Sequence, residues 1–192
     1  MAERILRPWK KVGEAIRLAG KFGKYLISQG FENPVTGTVE DFILYGQRDW
    51  SIVLAVTAED RVLTVRQFKQ GCDKFIVELP AGTADFTGET PEEVMKRELL
   101  QETGFVPTEI KYLGSFWIAS RSSPTRFHSF LAIGCRKIQP AKYDVNEEIE
   151  AREIPLETWL AQIRDNHIDE PSSIVTTYKA LSYLGYSITK AN

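Results

Sequence analysis

Two cysteines and two histidines among 192 residues leave several chemistries without their reagents. Cys72 and Cys135 form no Cys-x-x-Cys pair and have no histidine beside them. That argues against a disulfide framework or a zinc ribbon and reads as reduced thiols in a cytoplasmic protein. His128 and His167 stand alone, so no zinc-ligand spacing exists and histidine-driven nucleophile chemistry is not expected. No apolar run approaches the ~18 residues of a membrane span, so no membrane partner is expected. The basic start, MAERILRPWKK, has no apolar core behind it and is not a secretory leader. A net charge of −2 supplies no excess of cations for phosphate neutralisation, so no nucleic-acid partner is expected. With 43% hydrophobic and 26% charged residues, the chain has enough for one sizeable core, or one domain with an appendage.

What is present is concentrated between Gly82 and Phe105, GTADFTGETPEEVMKRELLQETGF. Thr90 suits an N-cap, Pro91 the first helical position, and Glu93 completes a Thr-x-x-Glu capping box. Glu92 and Glu93 favour the positive end of the helix dipole. Gly104 suits the left-handed residue that ends a helix. The spacing predicts a helix over 91–103, with Glu98 and Glu102 one turn apart on one face. Like charges at that spacing repel, and a bound cation would turn repulsion into attraction. Carboxylate oxygens are the ligands that hard cations such as Mg²⁺ prefer. A solvated acidic face is the ordinary alternative and suffices for Glu92 and Glu93. For Glu98 and Glu102 the wider pattern decides otherwise, because Glu89, Arg97, Glu98, Glu102 and Gly104 hold fixed offsets that chance supplies in about one window per million.

The segment resembles the Nudix box, the signature of the Nudix hydrolases: Gly, five residues, Glu, seven residues, then Arg-Glu-apolar-x-Glu-Glu-x-Gly-apolar. Glu89, Arg97, Glu98, Leu99, Glu102, Gly104 and Phe105 match in register. Two positions depart from the pattern. Six residues, not five, separate Gly82 from Glu89, and Gln101 replaces the first Glu of the Glu-Glu pair. The resemblance implies divalent cations, Mg²⁺ or alternatively Mn²⁺, held by the Ala81 carbonyl, Glu98 and Glu102, their number left open by Gln101. Arg97 and Glu89 are expected to pair and hold the loop on the helix, since a guanidinium fork matches a carboxylate.

Flanking residues point to a branch. Glu78-Leu79-Pro80-Ala81-Gly82 and Arg66-Gln67-Phe68-Lys69 are similar to the corresponding runs of ADP-ribose pyrophosphatases and related nucleoside diphosphate sugar hydrolases. The loop Ala119–Pro124 departs from the Ser-Pro-Gly common there, which leaves the substrate open. Strands are expected at 22–29, 39–46, 51–57, 61–68, 75–79, 110–118, 127–135 and 149–154, and helices at 156–165 and 173–184. The resemblance implies an α+β fold, a Nudix-type α/β/α sandwich with a mixed sheet plus an N-terminal β-hairpin extension. Residues 1–46 would form that extension, expected to pair two subunits as a homodimer and to contribute to substrate binding. Residues 47–192 would form the Nudix domain.

The expected activity is metal-dependent hydrolysis of a nucleoside diphosphate linked to another group, ADP-ribose or an NDP-sugar. Its products would be a nucleoside monophosphate and the phosphorylated partner. Glu147 and, second, Glu148 are candidate bases, joined by Glu98 as candidate catalytic carboxylates; a solvated acidic loop is the alternative reading of 144–148. Arg66 and Lys69 could neutralise phosphate, and Trp50 or Phe31 could stack on a base; surface cations and core aromatics are the alternatives. Two other functions stay open: a Nudix-fold nucleotide-binding module without turnover, motivated by Gln101, and a dinucleoside polyphosphate or NTP pyrophosphohydrolase.

Overall fold

The computed structural model describes residues 6–143 and 148–186, and they divide into two compact units. One comprises Met1–Arg48 with Trp117–Thr125, the other Asp49–Phe116 with Arg126–Asn192.

The first unit is built on a three-stranded antiparallel sheet in the order β1 (Lys10–Lys21), β2 (Lys24–Glu32), β3 (Val39–Gly46). Strand β1 was not anticipated. Two register shifts, at Val12/Ile16 and Arg17/Ala19, break the period-two alternation that marks a strand in sequence. Its hairpin turns on Phe22 and Gly23, both at positive φ (52° and 78°). That is the backbone of a tight two-residue hairpin turn, normally signalled by Asn-Gly or Asp-Gly. The turn also explains why β2 starts two residues later than Phe22. The predicted turn before β3 is present, with the Asn33 side chain accepting from the Val35 amide at 2.9 Å.

The second unit contains an eight-stranded mixed sheet. Strands β4 (Trp50–Thr57) and β10 (Arg126–Lys137) run parallel at its centre, in register from Phe127↔Trp50 to Ile133↔Val56. Strand β5 (Arg61–Lys69) lies between β4 and β11 (Ile149–Pro155). Shorter strands complete the sheet: β6 (Lys74–Glu78) on β5, β7 (Ala81–Thr83) on β4, and β8 (Phe105–Val106) and β9 (Glu109–Trp117) on β10. Ser51–Thr57 of β4 is buried throughout, as expected of a strand covered on both faces.

The two faces sort by the pleat. Val53, Ala55, Phe130 and Ala132 join Met95 and Leu99 of α1 (Pro91–Thr103) in one apolar cluster. On the opposite face, Ser129 Oγ bonds Thr176 Oγ1 of α3 (Pro171–Leu181) at 2.8 Å. There Trp159 of α2 (Leu156–Arg164), fully buried, donates its indole N–H to Thr177. Helices therefore cover both faces, giving the α/β/α sandwich expected from the sequence. No described helix is long and apolar enough to cross a membrane.

Candidate active site

The geometry of α1 follows from its ends. Thr90 Oγ1 accepts from the Glu93 amide while the Glu93 carboxylate accepts from the Thr90 amide at 2.8 Å, so the capping box closes. Gly104 ends the helix at φ 80°, its amide bonded to the Leu100 carbonyl. A Cβ at Gly104 would fall on the Gln139 carbonyl oxygen, which leaves glycine alone at that position. The helix spans Pro91–Thr103, as predicted. Its N-terminus is tied to the sheet where Ser51 Oγ donates to the Pro91 carbonyl at 2.7 Å.

Strand β7 brings Ala81, Gly82 and Thr83 along β4 opposite Ile52, Ser51 and Trp50. Both predicted carboxylates meet this strand. Glu102, only 5% exposed, accepts from the Ala81 amide through Oε2 at 3.1 Å. The Glu98 carboxylate lies against the Gly82 backbone, in the space that any side chain at position 82 would fill. Ala81, Glu98 and Glu102 are thus gathered at one place.

Arg97 organises the loop in front of the helix. Its Nε and Nη2 grip Glu89 at 2.8 and 3.2 Å, and Nη2 also donates to the Thr83 carbonyl at 2.7 Å. These bonds hold the nearly buried Glu89 carboxyl below the usual carboxylate range, the hydrogen bond from Arg97 being the main cause. Arg97 in turn is raised, chiefly by that same bond to Glu89. Its Nη1 donates to Glu98 Oε1 at 2.8 Å and to Gln101 Oε1 at 3.1 Å. Asp85 Oδ2 lies 3.3 Å from the same nitrogen. Asp85 was not foreseen as part of this arrangement; the extra residue between Gly82 and Glu89 marks the loop but not which of its residues reaches Arg97.

The donor chemistry fits a hard divalent cation: two carboxylates on one helix face, both against the Ala81-Gly82 backbone. Among the described residues no group of three or more acidic, histidine or cysteine side chains forms a ready-made cage.

Trp50 stands opposite Thr83 of β7, one residue from Gly82, while Arg66 and Lys69 lie on β5. Arg66 stands 3.7 Å from Glu150 of β11 and stacks on Phe75, 4.4 Å from its ring centre. Lys69 is ion-paired with Glu78, which also accepts from Gln67 at 2.7 Å. Burial raises the Glu78 carboxyl above the ordinary glutamate value, with Lys69 and Gln67 opposing it. Trp50 stacks on Phe127 with ring centres 5.8 Å apart. Glu148 is exposed just before β11; Glu147, like the rest of 144–147, lies outside the described residues. His128 bonds the Tyr112 hydroxyl at 3.1 Å, and burial lowers its pKa. Burial pushes the Cys135 thiol up to about 12, which leaves it unreactive.

The first unit holds a cavity of about 870 Å³ whose lining includes Trp9, Tyr25, Phe31, Phe42, Trp117 and Arg121. Phe42 packs edge-on against both Trp9 and Phe31, at 5.6 and 5.5 Å.

Comparison with known proteins identifies the family. Residues 47–172 match the NUDIX domain. The chain is 32% identical over 133 residues to an ADP-ribose pyrophosphatase of Bacillus subtilis (strain 168), covering 69% of each protein. It is 30% identical over 133 residues, again 69% of each, to a methanol dehydrogenase activator of Bacillus methanolicus. A solved structure of an ADP compounds hydrolase shares the fold at a TM-score of 0.81 and 16% identity, over 95% of this chain and 97% of that one. The capped helix, its paired carboxylates and the strand they rest on all fall inside the matched span, and the chain belongs to the Nudix family.

Proposed function

We propose that the protein is a divalent-metal-dependent pyrophosphohydrolase that cleaves the diphosphate of a nucleoside diphosphate linked to a second group. ADP-ribose or an NDP-sugar would yield a nucleoside monophosphate and the phosphorylated partner. The observation that carries this reading is the convergence of Glu98 and Glu102 on the Ala81-Gly82 backbone. The B. subtilis relative adds to it through its name.

Glu98, Glu102 and the Ala81 carbonyl would hold Mg²⁺ or Mn²⁺. A cation there would neutralise diphosphate charge and make water a better nucleophile. The rest falls to the protein's own groups. The Ala81 amide fixes one Glu102 oxygen, and Arg97 fixes Glu98, so both carboxylates are oriented before substrate arrives. Glu147 and, second, Glu148 are the candidate bases on the family resemblance; Glu148 immediately precedes β11, which is antiparallel to β5. Arg66 and Lys69 are the candidate phosphate-neutralising cations; each would have to give up part of its pairing with Glu150 or Glu78. The aromatic cavity of the first unit suits a nucleobase, since flat rings favour stacking. Phe31 lines it, whereas Trp50 packs on Phe127, so Phe31 is the better stacking candidate. A homodimer through the first unit's sheet belongs to the same proposal.

The test is a phosphatase-coupled phosphate-release assay with ADP-ribose, NDP-sugars, dinucleoside polyphosphates and NTPs, with Mg²⁺ or Mn²⁺. Turnover of one diphosphate class, lost in Glu102→Gln, is expected. Saturable nucleotide binding without turnover on any substrate would replace this reading with that of a binding module.

A further inference from the structure

The Nη1 group of Arg97 carries two hydrogens and faces three acceptors: Glu98 Oε1 at 2.8 Å, Gln101 Oε1 at 3.1 Å and Asp85 Oδ2 at 3.3 Å. One acceptor is in excess. The excess is useful if Glu98 has a second task. A carboxylate that turns its oxygens to a cation weakens its bond to Arg97, and two acceptors then remain for two hydrogens.

The charge balance singles out Asp85. Where the Nudix pattern has a carboxylate, position 101 here has a neutral amide. The loop from Gly82 to Glu89 is one residue longer than that pattern and brings Asp85 to the nitrogen that Gln101 also touches. The Asp85 amide donates to Glu89 Oε2 at 2.8 Å, which anchors the loop where its carboxylate can reach Arg97. The two departures from the pattern, a lost charge and a gained residue, meet at one atom.

We propose that Asp85 is a positioning residue that replaces the carboxylate missing at position 101. It serves as counter-charge to Arg97 while Glu98 turns to the divalent cation. The inference rests on the metal-dependent reading above.

Its test is Mn²⁺ binding without substrate, followed by calorimetry and by the electron paramagnetic resonance of free Mn²⁺. The proteins are wild type, Asp85→Asn, Gln101→Glu, the double variant and Glu102→Gln. Asp85→Asn keeps the side-chain shape and removes the charge. It is expected to weaken Mn²⁺ binding about tenfold, the lower end for a group that orients a metal ligand, because the Asp85 side chain is 63% exposed. Restoring the carboxylate at position 101 is expected to shrink that loss to less than about twofold, as a coupled pair should in a double-mutant cycle. The metal-free melting temperature of Asp85→Asn should match wild type. An Asp85→Asn affinity within about twofold of wild type, or the same loss in both backgrounds, overturns the proposal. If Glu102→Gln leaves Mn²⁺ binding intact, or wild type binds none, the metal reading itself fails and takes the proposal with it. Binding sensitive to Glu102 but indifferent to Asp85 removes the proposal alone.

Discussion

Gly82 contributes to the site by lacking one methyl group. The residue has no need of glycine's backbone freedom, since its φ is not in the left-handed region. What it provides is space, for a Cβ there would sit on the Glu98 carboxylate. A carboxylate at the end of a flexible side chain can move away at little cost to the fold. Gly82→Ala should therefore spare stability and harm function. The expected melting shift is under about 3 °C, less than 1 kcal/mol produces in a chain of this size. The expected fall in kcat/KM is about 100-fold, typical of a misplaced metal ligand. Calorimetry and steady-state kinetics on one preparation would separate the two effects, and unchanged kinetics would remove Glu98 from the site.

Glu78 poses a different problem, because its burial opposes its charge despite Lys69. The folded carboxyl titrates above its unfolded value of 4.5, so the folded state holds the proton more tightly. Its contribution is most favourable below that value and declines as pH rises through the interval up to the folded pKa. Glu78→Gln mimics the protonated form at every pH. Relative to wild type, the variant should gain stability as pH rises from below 4.5 to neutrality. Urea unfolding at both ends of that range checks the sign, and a difference independent of pH would contradict it.

Among elements, α1 was fully legible because all its determinants are local. Thr90, Pro91, Glu93 and Gly104 define its ends without help from the rest of the chain. The carboxylate face followed from the helical period. Thr90→Ala removes the hydroxyl that accepts from Glu93 and should cost about 1 kcal/mol, measurable as a shift in denaturation midpoint without a change in slope. A null effect would mean that docking on β4 alone holds the helix end. Strand β1 was illegible for the opposite reason: its register shifts and its Phe22-Gly23 turn depend on pairing with β2. Strands β7 and β8, of three and two residues, are too short to carry a period at all. Yet β7 is what brings Ala81 and Gly82 to the two glutamates. Local sequence thus disclosed the charged half of the site; Ala81 was named only through the family resemblance, and the β7 pairing that holds it against β4 came from the fold. Asp85 was hidden in the same way, since only folding decides which loop residue reaches Arg97.

At the scale of the whole molecule, the open question is what covers β1. All twelve of its residues are exposed, Ile16 to 65% and Leu18 to 51%. Only β2 pairs with it among the described strands, so one edge of a long strand stays available. Natural proteins rarely leave such an edge bare, because unpaired backbone groups beside apolar side chains invite another chain. A second copy of this chain is the simplest occupant, and a symmetric interface would use the same strand twice. Light scattering behind a sizing column should give twice the chain mass at micromolar concentration. Ile16→Glu combined with Leu18→Glu places like charges on that strand in both copies, which should shift the species to monomer. Because both side chains are already solvent-exposed in the single chain, the change should leave the melting of the second unit's core largely intact. If the double variant stays dimeric, the interface lies elsewhere; a monomeric wild type up to about 100 μM would remove the homodimer, since affinities weaker than ~10⁻⁴ M leave no stable complex at working concentrations.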